Sequence, residues 1–65
     1  MITKKLKNNK DKIRLDVFIF EEIEELSRVR IKKSIEDGNV LVNGKQVRKA
    51  GFSLKNHDNV EISYE

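Results

Sequence analysis

The chain has 65 residues, a formal net charge of +3, 37% hydrophobic and 38% charged residues, one histidine and no cysteine. That length allows one domain, and a chain this short buries only about 60% of the surface its unfolded form exposes. The composition excludes a disulfide framework, a thiolate or multi-histidine metal site and a membrane span, the longest apolar run being Val17 to Phe20.

Met1 to Lys12 is rich in lysine and asparagine, holds the turn-like pair Asn8-Asn9 and has no apolar period. Residues 1–12 are therefore expected to form a basic flexible tail, with the folded domain spanning 13–65. No apolar signal-peptide core follows the basic start, which predicts a cytoplasmic location. Leu15, Phe18, Ile19, Ile23 and Leu26 then recur on one stripe of an amphipathic helix that starts near Arg14 to Asp16. Glu21, Glu22, Glu24 and Glu25 occupy much of its other side. Val17 and Phe20 fall partly off the stripe, so this helix is expected to be buried on more than one side. Phe18, Phe20 and Phe52 are read as core residues rather than base-stacking platforms.

Ser27 breaks the pattern and suits an N-cap, because its hydroxyl can accept from an orphan N–H of the next turn. A second helix is predicted from Arg28 to about Asp37, with Ile31 and Ile35 one turn apart on its inner face and Gly38 as a left-handed C-terminal cap. Val40-Leu41-Val42 reads as a strand. Asn43-Gly44 follows as a type I′ turn, since both central residues of that turn need positive φ. Lys45-Gln46-Val47 returns from it. Ala50 to Asn59 reads as a loop anchored by Phe52 and Leu54, with turn chemistry at Asn56-His57-Asp58-Asn59. Val60, Ile62 and Tyr64 alternate with Glu61 and Ser63 as a half-buried last strand. The order predicts an α+β fold, two helices followed by a small antiparallel sheet.

Charge is sorted into blocks. Basic residues dominate up to Arg14, acidic residues 15–26, basic residues again 27–55, and acidic residues the end. Such sorting gives the molecule a basic and an acidic face, and a basic face concentrates polyanions such as nucleic acid. Arg28, Arg30, Lys32 and Lys33 crowd the second helix, with Arg28 and Lys32 stacked one turn apart. Several cations at fixed spacing beside a helix N-terminus suit phosphate; the other reading is a solvated face with i, i+4 partners such as Lys32 and Glu36. No Gly-rich phosphate loop, no acid–base carboxylate pair and no nucleophile–histidine pair is visible.

The string from Leu26 to Lys45, with Ser27-Arg28, then Gly38, then Val42-Asn43-Gly44, resembles the S4-type RNA-binding domain. Arg14-Leu15-Asp16 one helix upstream matches that domain's opening, and Leu54, Asp58, Val60, Glu61 and Ile62 match its closing strand. Among its branches the chain is most similar to the domain that precedes the catalytic domain of large-subunit ribosomal RNA pseudouridine synthases. The resemblance implies two helices packed on a small, bent, mainly antiparallel sheet, the alpha-L arrangement. It also implies that Arg14, Ser27, Arg28, Arg30, Lys32 and Lys33 face structured RNA, with Lys45 and Lys49 at the rim. Ser34, Ala50 and His57 depart from the family's usual leucine, proline and glycine, and the last predicts a left-handed Asn56 or His57. Pseudouridine synthases carry a catalytic aspartate in a similar Arg-Leu-Asp string, but here it opens a helix in a chain with no room for the catalytic sheet. The expected function is therefore a non-catalytic module that binds structured, ribosomal RNA and positions an RNA-modifying domain, without metal or other cofactor. The alternative is a protein-docking module that uses the acidic face of the first helix.

Overall fold

A computed structural model describes all 65 residues. The elements follow in the order β1 (Ile2–Lys7), β2 (Ile13–Arg14), α1 (Leu15–Glu22), α2 (Arg28–Glu36), β3 (Val40–Val42), β4 (Lys45–Gln46), β5 (Ser53–Leu54) and β6 (Asn59–Tyr64). Strands β1, β6, β3 and β4 form one antiparallel sheet in that spatial order, and β2 pairs with β5 in a separate two-stranded ribbon. Both helices pack with the sheet around one cluster of 13 buried side chains. This is the expected α+β arrangement.

Helix α1 is shorter than its apolar stripe. Glu21 and Glu22 occupy its last turn, which holds no basic residue, and carboxylates there oppose the negative end of the helix dipole. The backbone leaves the helix at Ile23, which is extended at φ −123° and ψ 97°. The stripe still does its packing work, because Ile23 and Leu26 are buried in the connecting turn.

Helix α2 forms as its local chemistry requires. Ser27 Oγ accepts from the Arg30 N–H at 3.2 Å, and Ile31 and Ile35 are fully buried, each burial stabilising the fold by roughly 1.5–3 kcal/mol. At its end Gly38 N–H donates to Ile35 O at 3.1 Å and Asn39 N–H to Ser34 O at 2.9 Å. That pair of bonds is a Schellman motif, and Gly38 takes the left-handed φ of 86° that it demands. A side chain at Gly38 would also run into Gln46, whose amide donates to Gly38 O.

Asn43 and Gly44 both have positive φ, 53° and 83°, so the β3–β4 hairpin turns as a type I′ turn. His57 adopts φ 74°, the left-handed residue expected in the last turn. In β6 and β3, Val60, Ile62, Tyr64, Val40 and Val42 face the core, in the register Val40↔Ile62 and Val42↔Val60.

Two expectations are corrected. Residues 1–12 are not a featureless tail: Ile2–Lys7 is β1, paired along its whole length with β6 from Ile2↔Tyr64 to Lys7↔Asn59. Leu6 packs against the core, Thr3 and Ser63 hydroxyls meet at 3.0 Å, and Asn8 is completely buried. The Asn8 amide donates to Lys10 O at 2.7 Å and Lys55 O at 2.8 Å, tying the segment to the 55–58 turn. Second, Phe20 does not belong to the core; it is 40% exposed, because α1 buries its Phe18 and Ile19 side instead.

Candidate nucleic-acid interface

Strand β2 runs directly into α1, and the junction is held from outside. Leu15 N–H donates to Phe52 O at 2.8 Å and Asp16 N–H to Ala50 O at 3.1 Å, which brings the 48–51 loop beside the start of α1. Arg14 folds back onto Asp16, with Nε to Oδ1 and one terminal nitrogen to Oδ2, both at 3.1 Å. Asp16 Oδ1 also accepts from the Val17 N–H at 2.9 Å. The aspartate of Arg14-Leu15-Asp16 therefore orients an arginine and accepts from a free N–H in the first turn of α1. The Arg14 guanidinium lies alongside Gly51 and remains largely exposed.

Helix α2 divides its cations between two flanks, since Ile31 and Ile35 take the side between them. On the flank toward α1, the Arg28 guanidinium lies 4.7 Å above the centre of the Phe20 ring. A cation over an exposed ring is worth about 0.5–1 kcal/mol. Asp16, Val17, Phe20, Arg28 and Ile31 line a shallow depression there, and Lys32 stands one helical turn along from Arg28. On the other flank Arg30 donates to the Glu65 carbonyl, and Arg30 and Lys33 share a depression with Asp37, Tyr64 and Glu65. The two flanks thus differ in company: on one, Arg28 lies on an aromatic ring and the nearby Asp16 is already bonded to Arg14; on the other, Arg30 and Lys33 share their depression with Asp37 and Glu65.

Of the residues singled out in the sequence, the structure brings Arg14 and Arg28 to one side of the molecule through the Asp16–Phe20 depression. Lys49 lies in the loop whose Ala50 carbonyl accepts from the Asp16 N–H. Ser27 lies at the mouth of α2, its hydroxyl engaged in the cap. Lys45 stands apart on the hairpin, in a depression with Phe52 and Asp58. Arg48 was not singled out. It reaches back to Gln46 Oε1 at 3.3 Å and to the C-terminal end of α2 at Gly38. Phe20 was set aside as core, because a helical wheel does not reveal the angle at which α2 leaves α1.

The acidic stretch that runs from the end of α1 into the connecting turn is partly used inside the molecule. Lys10 Nζ bonds Glu21 Oε1 at 2.8 Å, and the Glu21 carboxylate raises the lysine pKa. Tyr64 donates its hydroxyl to Glu25 Oε2 at 2.9 Å, with Lys4 Nζ 3.8 Å away. The Tyr64 hydrogen bond holds the Glu25 carboxyl below its ordinary range, and burial followed by the Glu25 charge pushes the Tyr64 phenol up. Asp58 is held low chiefly by the Lys55 N–H and then by the Asn43 amide, which pin the last turn to the hairpin.

The family model of the S4 domain, an RNA-binding domain, matches residues 13–60. Among curated relatives, the chain is 45% identical over 54 residues to RNA pseudouridine synthase 2, chloroplastic, of Arabidopsis thaliana. It is 33% identical over 52 residues to an uncharacterized RNA pseudouridine synthase of Chlorobaculum parvum. It is 41% identical over 51 residues to another from Mycoplasma pneumoniae. These alignments cover 83%, 80% and 78% of the chain but only 13%, 16% and 16% of the respective relatives.

Proposed function

The chain belongs to the S4 domain family, and from that premise we propose that it grips folded RNA with the α1-facing flank of α2. As an S4 domain it is an RNA-binding accessory domain rather than a catalytic one. The observation that carries the choice of flank is the company of Arg28 and Lys32. The Arg28 guanidinium lies over Phe20 and makes no ion pair, whereas on the other flank Arg30 is bonded to the Glu65 carbonyl and shares a depression with Lys33, Asp37 and Glu65. Arg28 and Lys32 are both exposed on the first turns of a rigid, capped helix. Cations so placed contact phosphate without first breaking an internal pair, and the N-terminal end of the helix adds its own positive potential. Readout by backbone charge and shape suits RNA helices, whose deep narrow groove hides base edges from side chains.

The pseudouridine synthase relatives extend the proposal. The domain positions an RNA-modifying domain of the pseudouridine synthase class, and the RNA we propose for it is structured and ribosomal, as the sequence resemblance implies. Arg14 and Lys49 widen the contact beyond α2, and Lys45 touches it at the rim. The acidic-face docking reading is less favoured, because Glu21 and Glu25 already serve Lys10 and Tyr64.

The double change Arg28→Glu, Lys32→Glu tests the site on ribosomal RNA in a salt titration. Each lost phosphate contact flattens log K against log salt by about 0.7–0.9, so the slope should fall by up to about 2 units and affinity with it. Both side chains point away from the core, so the melting temperature should hardly move. A folded double variant with wild-type affinity and slope would sink the assignment.

A further inference from the structure

The depression between α1 and α2 holds more than charge. Phe20 is 40% exposed and Val17, one turn before it, is equally exposed. The Arg28 guanidinium lies over the Phe20 ring, and no carboxylate pairs with that guanidinium. The second ring-bearing residue that might have covered Phe20 from the loop, Phe52, packs toward the core. Phe20 stands outside the buried core cluster and against one of the cations proposed to hold phosphate.

We infer that the Phe20–Arg28 pair is a stacking platform for one unpaired RNA base. The reading rests on the phosphate-binding role of the same flank and adds a class of ligand to it: RNA with a base outside a helix, not duplex alone. An unpaired base offers a π-face to the ring and guanidinium whatever its identity, so the platform selects for unpaired structure and tolerates sequence. The N–H groups of Arg28, unused by the protein, reach the phosphate beside that base. Charge selects the occupant. A nucleotide brings a flat apolar face and a negative phosphate together, which matches an exposed ring roofed by a cation; a purely apolar protein surface would bury Arg28 with no carboxylate but Asp16 beside it, and Asp16 already serves Arg14.

The experiment compares an RNA stem-loop with the same stem as a blunt duplex, each titrated with wild-type chain, Phe20→Leu, Phe20→Trp and the Arg28→Glu, Lys32→Glu pair. Wild-type chain should prefer the stem-loop. Phe20→Leu keeps the apolar bulk and loses the ring. It should weaken stem-loop binding by roughly 5- to 150-fold, the range of one lost base stack, and leave duplex affinity and salt slope unchanged. Phe20→Trp should bind the stem-loop at least as tightly as wild type. If Phe20→Leu keeps the preference for the stem-loop, the stack is overturned and the patch serves apolar docking. Equal wild-type affinity for the two RNAs also overturns it. If Phe20→Leu does not fold, Phe20→Trp decides, and stem-loop binding weaker than wild type counts against the platform. Duplex binding that survives Arg28→Glu, Lys32→Glu overturns the phosphate site instead, so the two failures are distinct.

Discussion

Two stretches of this chain look equally basic in the sequence, and the fold treats them differently. In the N-terminal segment, Lys4 lies near Glu25 and Lys10 is bonded to Glu21, while Lys5 and Lys7 stand on the face of the sheet turned away from the core. In α2, Arg28 lies on an aromatic ring and Lys32 is free of carboxylates, both beside a capped helix start. Lys4 and Lys10 help to hold the N-terminal segment against the rest of the molecule; Arg28 and Lys32 are carried by a helix that needs no ion pair from either. Cations become available to a polyanion when something other than their charge anchors the element that carries them. Lysine content alone does not distinguish the two cases, because an ion pair depends on a carboxylate brought near by folding.

The contrast is broken most forcefully by removing β1. Deleting residues 1–7 strips the outer partner from β6 and uncovers Val60, Ile62 and Tyr64 along the edge of the sheet. The expected loss is on the order of 3 kcal/mol, which lowers the melting temperature by about 12–24 °C for a domain of this size. RNA affinity of the fraction still folded should change far less than under Arg28→Glu, Lys32→Glu. A melting temperature unmoved by the deletion would mean that β1 is an ornament and that its lysines belong with those of α2.

What was legible and what was not follows the range of the chemistry. Ser27, Gly38 and Asn43-Gly44 act on backbone groups within five residues, so their cap, Schellman motif and hairpin turn were readable from the sequence. Strand β1 was not, because what orders it is a ladder to β6 at the far end of the chain. Its own signal is weak: Ile2 is half exposed and only Leu6 reaches the core. Tethers such as the buried Asn8 amide to Lys55 O are equally silent in the sequence. The helix-two cations were legible as a group; their division into an aromatic-backed flank and a mixed-charge flank was not. That division depends on where β6 and α1 lie relative to α2, and the same geometry decides that Phe20 stays open.

A smaller effect sharpens the comparison on the functional side. Lys5→Glu with Lys7→Glu reverses as much charge as Arg28→Glu with Lys32→Glu, on the outer sheet face. If position rather than total charge governs binding, the sheet variant should alter the salt slope by less than one contact's share, about 0.7–0.9. It should weaken RNA binding only through the long-range field, which added salt screens. Equal losses from both double variants would show that the chain binds RNA by net charge and that α2 has no special place.

The smallest expected effect concerns the acidic turn after α1 and the strand it steadies. Glu25 accepts from the Tyr64 hydroxyl, and this bond holds its folded pKa below the ordinary glutamate value. A carboxyl depressed on folding stabilises the native state above its unfolded pKa, and the contribution is lost as pH falls through the folded value. Stability should therefore be level near neutrality and begin to fall below about pH 4.3, where unfolded glutamates take up protons. Tyr64 sets the opposite boundary. Its phenol is raised by burial and by Glu25, so its contribution is complete below the unfolded tyrosine pKa and disappears as pH rises through the folded one. Glu25→Gln removes the carboxylate while keeping an acceptor for Tyr64. Its melting temperature should lie slightly below wild type at pH 7, and the gap should close as pH is lowered from 5 to 3 in paired thermal melts. Because the Glu25 side chain is about half exposed, added salt should shrink the pH 7 gap as well. A gap that stays constant across that pH range would mean that the glutamate charge does nothing for the strand, and that the acidic face of α1 is free for another purpose.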